Sequence, residues 1–335
     1  MKYTINDIAK LAGVSKASVS RVLNDSPSVG QDIKDKVNAI LKETNYKPST
    51  LARSLSTKKT KLIGVLVPEI ANPIFSRILM GIESEAHKNG YNILLCNSRH
   101  ELELELKYLD VLSEKQVDGY IIHSYHAMDH MTEKLKSIAK PTVSIDHSFS
   151  LEGYPVIRID NRKAAYDATS YLISKGHHEI GIIHGPLTDP EAGQLRLKGY
   201  KDALVEHDIE INSINIVEST FNLKDGITAV ESLIKNNPNL TAIFCANDAM
   251  AIGAIKGLYC LGYRVPEDIS IIGFDGIQLG EVYTPSLTTI EQPFEAKGRS
   301  AVETLLQMIS DTTYNDEIIH DYKLIERSST KKAYS

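Results

Sequence analysis

Apolar residues recur at helical spacing in three short segments at the start of the chain. In the first segment they lie at i, i+3, i+4 and i+7 and predict one buried face, formed by Ile5, Ile8, Ala9 and Ala12. Thr4 is placed to cap this helix, and Asp7 three residues later is placed to complete a capping box. Gly13 follows the last apolar position and predicts the end of the helix.

The second segment, VSKASVSRVLN at residues 14–24, predicts a helix with two unlike faces. Val19, Val22 and Leu23 form its apolar stripe, and Ser15 suits the N-cap because its oxygen can accept a free backbone N–H. The opposite face carries small polar groups and cations, namely Lys16, Ala17, Ser20, Arg21 and Asn24. A face of this kind can lie close against a polar, anionic partner.

The first two helices are joined by a short turn that contains Gly13, which is typical of a helix-turn-helix. NDSPSVGQD then has the composition of a turn, and a third helix is predicted over about 31–44. Its inward face is expected to hold Ile33, Val37, Ile40 and Leu41. The three helices predict an all-α head over residues 1–47. Residues 48–61 follow, with Pro48 as a break, two helical turns in TLARSL and a polar linker in STKKTK.

From Leu62 the pattern changes to short apolar runs that alternate with amphipathic segments of ten to twenty residues. The strand-like runs are LIGVLV at 62–67, NILLC at 92–96, GYIIH at 119–123, TVSI at 142–145, VIRI at 156–159, IGIIH at 180–184, AIFCA at 242–246 and ISIIGF at 269–274. Such alternation predicts βαβ units and parallel sheets with helices on both faces. ELELELK at 101–107 alternates like a strand, but its leucines continue at helical spacing, so we predict a helix there.

The core, residues 62–335, is long enough for two doubly wound parallel-sheet lobes. We expect the first lobe to comprise about 62–160 plus 276–292. The second lobe is then expected to comprise about 161–275 plus 293–330.

Composition is that of a soluble globular protein, with 335 residues, 42% hydrophobic and 24% charged. The apolar runs are far shorter than the roughly 20 residues of a membrane span, and MKYTINDIAK has no signal-peptide core. We therefore expect a cytoplasmic protein that meets no membrane. Cys96, Cys245 and Cys260 form no CxxC pair and are expected to be small hydrophobes in a reducing compartment.

Charge is distributed unevenly, which changes the expectation about partners. The whole chain carries −6, but residues 1–60 hold eleven Lys and Arg against five Asp and Glu, a net +6. The remaining residues hold 26 against 38, a net −12. A basic head on an acidic body indicates that only the head meets a polyanion, and chance clustering within sixty residues is the alternative.

Motifs of enzyme chemistry are absent from the sequence: GxGxxG, GxxxxGKS/T, HExxH and GxSxG do not occur. His177, His178 and His184 do not match a zinc spacing. We therefore expect no catalytic residue, no metal ion and no cofactor, and an enzyme of the sugar-phosphate type is disfavoured.

Polar residues follow three apolar strands at equivalent places, in IDN at 159–161, AND at 246–248 and FDG at 274–276. Each Asp alone is more simply a helix N-cap. Ligands bind at strand ends in open parallel sheets, so three such sites facing a cleft favour a polar ligand with hydroxyl groups. Arg196 either adds a fork of donors to this cleft or is a surface charge.

The residues together resemble the lac repressor/galactose repressor family of bacterial transcription regulators. The resemblance is carried in order by TINDIAKLAGVSKASVSRVLN, NYKPSTLARSL, IGVLVPEIANPIFSRILMGIE, VDGYII, CANDAMAIGA, VPEDISIIGFDG and TTIEQP. It covers essentially the whole chain and implies a core shared with the sugar-binding proteins of the periplasm. A periplasmic protein would need a signal peptide and would lack the head.

The resemblance implies that the helix beginning at Ser15 is a recognition helix in the major groove. Lys16 and Ala17 match the two positions that choose bases: Lys16 can donate to guanine, and Ala17 offers apolar contact, for example to a thymine methyl. The implied DNA contacts are Thr4, Ile5, Ser15, Lys16, Ala17, Ser18, Ser20, Arg21, Asn24, Tyr46, Ser49, Ala52, Arg53 and Leu55. Gly30 departs from the family's hydroxyl N-cap, with a small expected effect.

TLARSL, residues 50–55, resembles the hinge helix, which in the family folds only on operator DNA. Leu55 would then wedge into the minor groove at the dyad, with Ala52 and Arg53 beside it. Unstacking a base step costs a few kcal/mol, offset by the contacts that a bent duplex permits.

Seven core residues match positions that line the effector cleft in sugar-binding members: Asn72, Asp146, Arg196, Phe221, Asn247, Asp275 and Gln292. Carboxylates and amides would accept hydrogen bonds from sugar hydroxyls, with an aromatic face under the ring. Asp146 and Asp275 argue against an anionic effector, whereas Arg196 leaves a purine-like or phosphorylated ligand open.

RSSTKKAYS at the end of the sequence carries no leucine heptad, so the resemblance implies a homodimer that reads a near-palindromic double-stranded operator. We expect a sequence-specific DNA-binding regulator, a repressor of carbohydrate-utilisation genes controlled by a sugar in the interlobe cleft. The alternative is the same regulator controlled by a corepressor such as a purine, by a sugar phosphate or by a protein coeffector. The sequence does not fix whether the ligand induces or corepresses.

Overall fold

The computed structural model of the chain describes residues 3–23, 28–46, 59–124, 129–147 and 153–333. The chain divides into two compact units, Met1–Lys61 and Leu62–Ser335, here called the head and the core. The predicted hinge helix, with Ser49, Ala52, Arg53 and Leu55, lies outside the described residues, and so does Asn24.

The head contains the three predicted helices, α1 (Ile5–Ala12), α2 (Lys16–Leu23) and α3 (Gln31–Thr44). The predicted capping box of α1 is confirmed: Thr4 Oγ1 accepts the N–H of Asp7 at 3.3 Å, and Asp7 Oδ2 accepts the N–H of Thr4 at 2.9 Å. Gly13 ends α1 with a left-handed φ of 65°, a conformation that favours glycine.

Helix α2 begins directly after Ser15, as the sequence predicts. Ser15 Oγ accepts the N–H of Ser18 at 3.0 Å, which satisfies one of the free donors at the start of α2. The helices bury one small apolar core, made of Ile8, Ala9, Val19, Val22, Val29 and Val37. Gly30 precedes α3 in an extended conformation and supplies no side-chain cap, as its lack of a side chain requires.

The core contains two six-stranded sheets, one in each lobe. The first sheet has the order β11-β5-β4-β3-β1-β2, and all of its strand pairs are parallel. Its strands are β1 (Leu62–Val67), β2 (Asn92–Asn97), β3 (Gly119–Ile122), β4 (Thr142–Ile145), β5 (Val156–Arg158) and β11 (Glu317–Ile319).

The second sheet has the order β12-β10-β9-β8-β6-β7 and is parallel except for β12, which pairs antiparallel with β10. Its strands are β6 (Ile180–His184), β7 (Ile216–Glu218), β8 (Ala242–Cys245), β9 (Ser270–Asp275), β10 (Thr288–Glu291) and β12 (Lys323–Ile325). The antiparallel edge strand is the one departure from the predicted parallel arrangement in the described part of the chain.

Helices cover both faces of each sheet, as apolar strands buried on both sides require. The core helices are α4 (Pro73–Lys88), α5 (Leu102–Glu114), α6 (Asp129–Ile138), α7 (Asn161–Ser174), α8 (Arg196–Glu206), α9 (Leu223–Asn236), α10 (Asp248–Cys260), α11 (Gln278–Val282) and α12 (Phe294–Ile309). In the first lobe α4 and α12 cover one face and α5 and α6 the other. In the second lobe α9 and α10 lie opposite α7 and α8. Across the described residues, no helix is long and apolar enough to span a membrane.

The predicted division of the C-terminal segments between the lobes is wrong. We expected 276–292 in the first lobe and 293–330 in the second, but β10 pairs with β9 in the second sheet. Helix α12 instead packs against α4 and the first sheet, because its apolar residues, Phe294, Ala301, Val302 and Leu305, complete that lobe's core. The chain therefore crosses between the lobes after β5, after β10 and after β11.

All eight predicted strands are present, and ELELELK begins α5 as predicted. The sequence analysis missed β7, β10, β11 and β12. These strands are three or four residues long, and only β10 is strongly buried, so no long apolar run marks them.

Candidate functional site

A cavity of about 60 Å³ lies between the two lobes, at the edge where the parallel strands end. All seven residues that the resemblance assigns to an effector site line it: Asn72, Asp146, Arg196, Phe221, Asn247, Asp275 and Gln292. They converge because the carboxyl ends of parallel strands meet at one edge of each sheet. A wider space of about 370 Å³, here called the vestibule, adjoins the cavity and shares Asn72, Asp189 and Phe221 with it.

Two of the cavity amides also cap helices. Asn72 Oδ1 accepts the N–H of Ile74 at 3.0 Å and begins α4. Asn247 Oδ1 accepts the N–H of Met250 at 2.8 Å and begins α10. Each cap fixes a polar side chain at the wall of the cavity, so one residue serves both the helix and the site.

The three aspartates at strand ends have different roles, which corrects the expectation that all three face the cleft. Asp160 is exposed and caps α7 by accepting the N–H of Lys163 at 2.8 Å. Asp248 is buried and holds the N–H of Ile277 at 2.8 Å. Only Asp275 lines the cavity, and in the other two triplets the neighbouring Asn161 and Asn247 line it instead.

Burial and the nearby charge of Asp275 together raise the pKa of Asp248 to about 8. The hydroxyl of Thr289 donates to Asp248 Oδ1 at 2.6 Å. Asp248 therefore ties β10 and the loop after β9 together behind the cavity wall.

Three residues that line the cavity have a positive φ. Asp146 and Phe221 each have a φ of 66°, and Asp275 has a φ of 114°. Side chains rarely adopt this left-handed region, and such residues persist only where the surrounding structure holds them. The three side chains are therefore placed by their surroundings at some cost to local stability.

Asp146 is the centre of a charged cluster in the first lobe. The ammonium of Lys297, which is fully buried on α12, donates to Asp146 Oδ1. His123 Nε2 lies 3.3 Å from Asp146 Oδ2. Burial would raise the pKa of Asp146, but Lys297 and His123 outweigh it and hold this pKa far below its ordinary value. Burial lowers the pKa of His123, which favours the neutral imidazole.

Asp275 is the centre of a second cluster. Gln292 Nε2 donates to Asp275 Oδ1 at 2.9 Å, and the guanidinium of Arg196 lies 3.6 Å from the same oxygen. Burial raises the pKa of Asp275 to about 6, although Arg196 and Gln292 act in the opposite direction.

Arg196 is held on several sides. Its Nε donates to Asn161 Oδ1 at 2.9 Å, and its Nη1 donates to the carbonyl of Ala246 at 2.5 Å. Its guanidinium lies 3.7 Å from the ring centre of Phe274, a cation–π distance. The surface-charge interpretation of Arg196 is excluded, because its side chain is only 7% exposed.

Two ion pairs join the lobes beside the cavity. His147, after β4, lies 3.3 Å from Asp189, which begins the π-helical turn Pro190–Leu195 of the second lobe. Arg158, at the end of β5, donates to Glu191 in that turn at 3.0 Å.

The contact between His147 and Asp189 favours the charged form of both side chains. Burial would lower the pKa of His147, but the hydrogen bond and charge of Asp189 outweigh it and raise this pKa. Burial would raise the pKa of Asp189, but His147 outweighs it and lowers that pKa.

The cavity contains further residues that the sequence analysis missed. These are Ile74, Phe75, His123, His147, Asn161, Asp189, Glu191, Ala192 and Phe294, with Lys297 behind Asp146. His123 follows β3 directly and His147 is the second residue after β4, so the strand-end rule applied to Asp275 could have found them. No local pattern marks Lys297, because it reaches the site from the middle of a helix.

The chemistry of the cavity suits binding rather than reaction. Carboxylates, amides and guanidinium groups surround three aromatic rings, those of Phe75, Phe221 and Phe294. Over the ranges that the structure describes, no group of His, Cys, Asp and Glu is arranged to hold a metal ion.

In the head, α2 presents the residues that the resemblance assigns to DNA. Lys16, Ala17 and Arg21 are exposed, while Val19 and Val22 are buried on the opposite face. Thr4 and Ser15 are exposed caps, and Ser18 and Ser20 are half-buried. Ile5 and Tyr46 also pack against the head core, so they have a structural role as well.

Comparison with known proteins finds a family model that matches the head and another that matches the core. The family model described as bacterial regulatory proteins, lacI family, matches residues 4–49. The model described as periplasmic binding proteins and sugar binding domain of LacI family matches residues 60–328.

Named relatives align over nearly the whole chain. It is 37% identical over 330 residues to the HTH-type transcriptional repressor PurR of Vibrio atlanticus, covering 98% of each protein. It is 39% identical over 312 residues to the ribose operon repressor of Haemophilus influenzae, covering 93% of each. The solved structure of the lac repressor dimer bound to operator and the anti-inducer ONPF is similar with a TM-score of 0.88 at 28% identity, covering 99% of this chain and 100% of that chain.

Both halves of the family's architecture are present in the same order and over almost the full length. The chain belongs to the lacI family of bacterial regulatory proteins and is a transcriptional regulator rather than an enzyme.

Proposed function

We propose that the protein is a cytoplasmic repressor that binds operator DNA through α2 and whose DNA affinity is set by a neutral, hydroxyl-rich sugar in the interlobe cavity. The observation that carries the choice of ligand is the pairing of charges in the cavity. Asp146, Asp189, Glu191 and Asp275 each have a cationic partner within the protein. A charged ligand would have to displace one of these partners.

An anionic effector is disfavoured because the cations are engaged. Lys297 is fully buried against Asp146, and Arg196 is held by Asn161, Ala246 and Asp275. A phosphate would bring its negative charge beside Asp146 and Asp275 and would have to compete with these carboxylates for the two cations. A neutral sugar is therefore favoured over a sugar phosphate as the ligand.

A sugar uses the groups that the cavity offers. Hydroxyl groups donate to carboxylate oxygens and both donate to and accept from amides, while the apolar face of the ring packs on an aromatic side chain. Asn161 and Gln292 supply amides and Phe221 supplies a ring. The relative named a ribose operon repressor supports this ligand class.

The DNA-binding part of the proposal rests on α2. Its exposed Lys16 and Arg21 carry positive charge, and its buried valines fix which face points outward. A helix of this kind reads base edges in the major groove. Two heads in a homodimer would read a near-palindromic operator, and the hinge residues around Leu55 would enter the minor groove between the half-sites.

Control of DNA binding requires two states of the core that the ligand distinguishes. The His147–Asp189 and Arg158–Glu191 pairs join the lobes around the cavity, so a ligand held by both lobes adds to the same closure. In a dimer, closure would change the relative orientation of the first lobe of one protomer and that of its partner. The relative position of the two hinges that are joined to these lobes would change with it. Whether closure strengthens or weakens operator binding decides between corepressor and inducer.

The first experiment is a thermal-shift screen of the full chain against neutral mono- and disaccharides, sugar phosphates and purine bases. A ligand well above its dissociation constant raises the melting temperature by mass action. We expect the largest rise with a neutral monosaccharide, followed by a change in operator affinity in a gel-shift assay. The operator for that assay is selected from random duplexes by the full chain.

Each of the other outcomes would identify a different kind of effector. A rise only with sugar phosphates would overturn the charge-pairing argument and place Arg196 at the centre of an anion site. A rise only with purines would identify a purine corepressor. No rise with any compound would overturn the small-ligand proposal in favour of a protein coeffector, while the operator selection would still test DNA binding.

A further inference from the structure

The cavity and the vestibule share three lining residues, Asn72, Asp189 and Phe221, and the boundary between the two spaces is here called the neck. Phe221 is the aromatic residue that these spaces share, so the position of its ring determines how wide the neck is. Anything that moves this ring changes both the size of the cavity and the connection to the vestibule.

The ring of Phe221 occupies the space that a side chain at Gly185 would need. A β-carbon built on Gly185 would lie 1.8 Å from Cζ of Phe221 and within 2.5 Å of both ε carbons. Real β-carbons do not approach other atoms this closely. Gly185 follows β6 directly and does not have a left-handed φ, so its backbone would accept an alanine. The glycine is therefore required by the ring rather than by the backbone conformation.

Phe221 cannot avoid this contact by a simple shift of its backbone. Its φ of 66° is held by Asn247, whose amide donates to the carbonyl of Phe221 at 2.8 Å. Asn222, the next residue, caps α9 by accepting the N–H of Asp225 at 2.9 Å. With the backbone anchored on both sides, a methyl group at position 185 has to displace the ring itself. The open spaces beside the ring are the cavity and the vestibule.

We propose that Gly185 is a specificity-determining residue of the effector site, because its missing side chain lets the Phe221 ring lie against the end of β6 and keeps the neck open. Gly185 acts through Phe221 and touches no ligand itself, so it is a positioning residue. The proposal rests on the proposed function for the ligand class. The contact between Gly185 and the ring can be tested without a ligand.

The ligand-free test uses fluorine NMR of the full chain labelled with 4-fluorophenylalanine at its six Phe residues. The Phe221 resonance is assigned by its loss in Phe221→Ala. We expect Gly185→Ala to shift this resonance and to leave the other five in place. Gly181→Ala is the matched control, because it adds a methyl within β6 whose nearest neighbours are Leu233 and Leu240 rather than Phe221. The control is expected to leave the Phe221 resonance unchanged.

The binding test uses the compound that gives the largest melting-temperature rise with the unaltered protein, measured by calorimetric titration. We expect Gly185→Ala to weaken its binding at least tenfold and Gly181→Ala to change it less than twofold. In the Phe221→Ala background, Gly185→Ala is expected to have no further effect, since the ring that it displaces is gone. A general folding defect would persist in that background.

An unshifted Phe221 resonance, or binding by Gly185→Ala equal to that of the unaltered protein, would overturn the proposal. Equal losses from Gly185→Ala with and without the Phe221 ring would also overturn it, because the effect would not pass through the ring. A screen without any binding compound would overturn the proposed ligand class instead. The fluorine spectrum would then still decide whether Gly185 places the ring.

Discussion

Charged residues of the cavity are arranged in pairs, and each pair limits what the site can accept. Asp275 shows this most clearly, since Arg196 and Gln292 both face it and burial raises its pKa to about 6. A buried ion pair contributes little net stability, but removal of one partner leaves an uncompensated charge. In the proposed site, Asp275 would bind the ligand and also neutralise Arg196.

Asp275→Asn is expected to raise the dissociation constant of the cavity ligand by two orders of magnitude or more. The amide keeps the shape of the side chain but removes a charged acceptor and leaves Arg196 without its counter-ion, an effect of about 3 kcal/mol or more. Calorimetric titration measures it. Asp160→Asn is the control, because Asp160 is outside the cavity and Asn is an equally good N-cap. Unchanged binding by Asp275→Asn would remove Asp275 from the site.

Asp248 gives a prediction about pH and stability. Its pKa is about 8 in the folded protein and about 3.9 in an unfolded chain, so the folded state binds more protons between these values. Its contribution to stability is present below pH 4 and is lost as pH rises towards 8, with a slope of about 1.4 kcal/mol per pH unit. Urea unfolding of Asp248→Asn should lack this slope.

Asp208→Asn, at an exposed position, is the control for this measurement and should keep the slope of the unaltered protein. The comparison is best made between pH 6 and 8, above the pKa of Asp275. An identical pH dependence in Asp248→Asn and the unaltered protein would show that Asp248 is ionised in the folded state.

In the proposed function, helix α2 recognises DNA with its exposed face and packs against the head with its buried face. Buried valines hold the helix in the head, so mutation of its exposed residues should change binding without unfolding the head. Phosphate contacts fix position and carry no sequence information, whereas base contacts specify sequence. The exposed residues of α2 can be sorted into these classes by salt dependence.

Arg21→Ala is expected to weaken binding to a selected operator and to a random duplex alike. The slope of log affinity against log salt should fall by about 1 if Arg21 neutralises one phosphate. Lys16→Ala should instead relax preference at one base pair, with a cost of about 1–3 kcal/mol on the selected operator alone. Fluorescence anisotropy across a salt series measures both. Lys42→Ala, in the last turn of α3, is the control for loss of one charge from the head.

Elements with local signals could be predicted from the sequence. The helices of the head were predicted because Thr4, Gly13 and Ser15 mark their ends within a few residues of an apolar stripe. Strand β10 was not predicted because Thr-Thr-Ile-Glu has no apolar run. Without β10, the crossing of α12 to the first lobe was not predicted either. Neighbours in a sheet are chosen by pairing across long sequence distances, which local patterns do not contain.

The same limit applies to the candidate site. The seven residues predicted through the resemblance lie together and several contact one another, but other residues of the site were not predicted. Lys297 is 151 positions from Asp146, and Asp189 is 42 positions from His147. Nothing near Lys297 distinguishes it from a solvated lysine of a surface helix, so its burial and its pairing could be found only in the folded structure.

At the scale of the whole molecule, the core is two lobes joined by three crossings, with ion pairs across the cleft. The His147–Asp189 and Arg158–Glu191 pairs make contact across the cleft, so both pairs would be lost if the lobes moved apart. These two ion pairs are therefore expected to stabilise the closed arrangement, in which the lobes are in contact across the cleft. Since His147 is the titrating member of one pair, closure should depend on pH.

The chain contains no tryptophan, so a single introduced tryptophan can report the state of the cleft. Thr188→Trp places the reporter in the vestibule wall of the second lobe. His147 has a raised pKa, so its charge and its attraction for Asp189 are present at low pH and lost as pH rises through that pKa. We expect the emission of the ligand-free reporter to shift to the red as the pH rises and the cleft opens, and the ligand to bind severalfold more weakly.

His147→Gln in the reporter protein should remove this transition, because the glutamine cannot be protonated. His178→Gln is the control, since His178 is exposed at the opposite end of β6 and should leave the transition intact. Asp146, Glu191 and His123 also face His147, and Asp275 titrates near pH 6, so any shift that remains in His147→Gln belongs to these groups. A transition of unchanged size in His147→Gln would mean that the His147–Asp189 pair does not hold the lobes together. Closure would then depend on Arg158, whose charge does not change in this range.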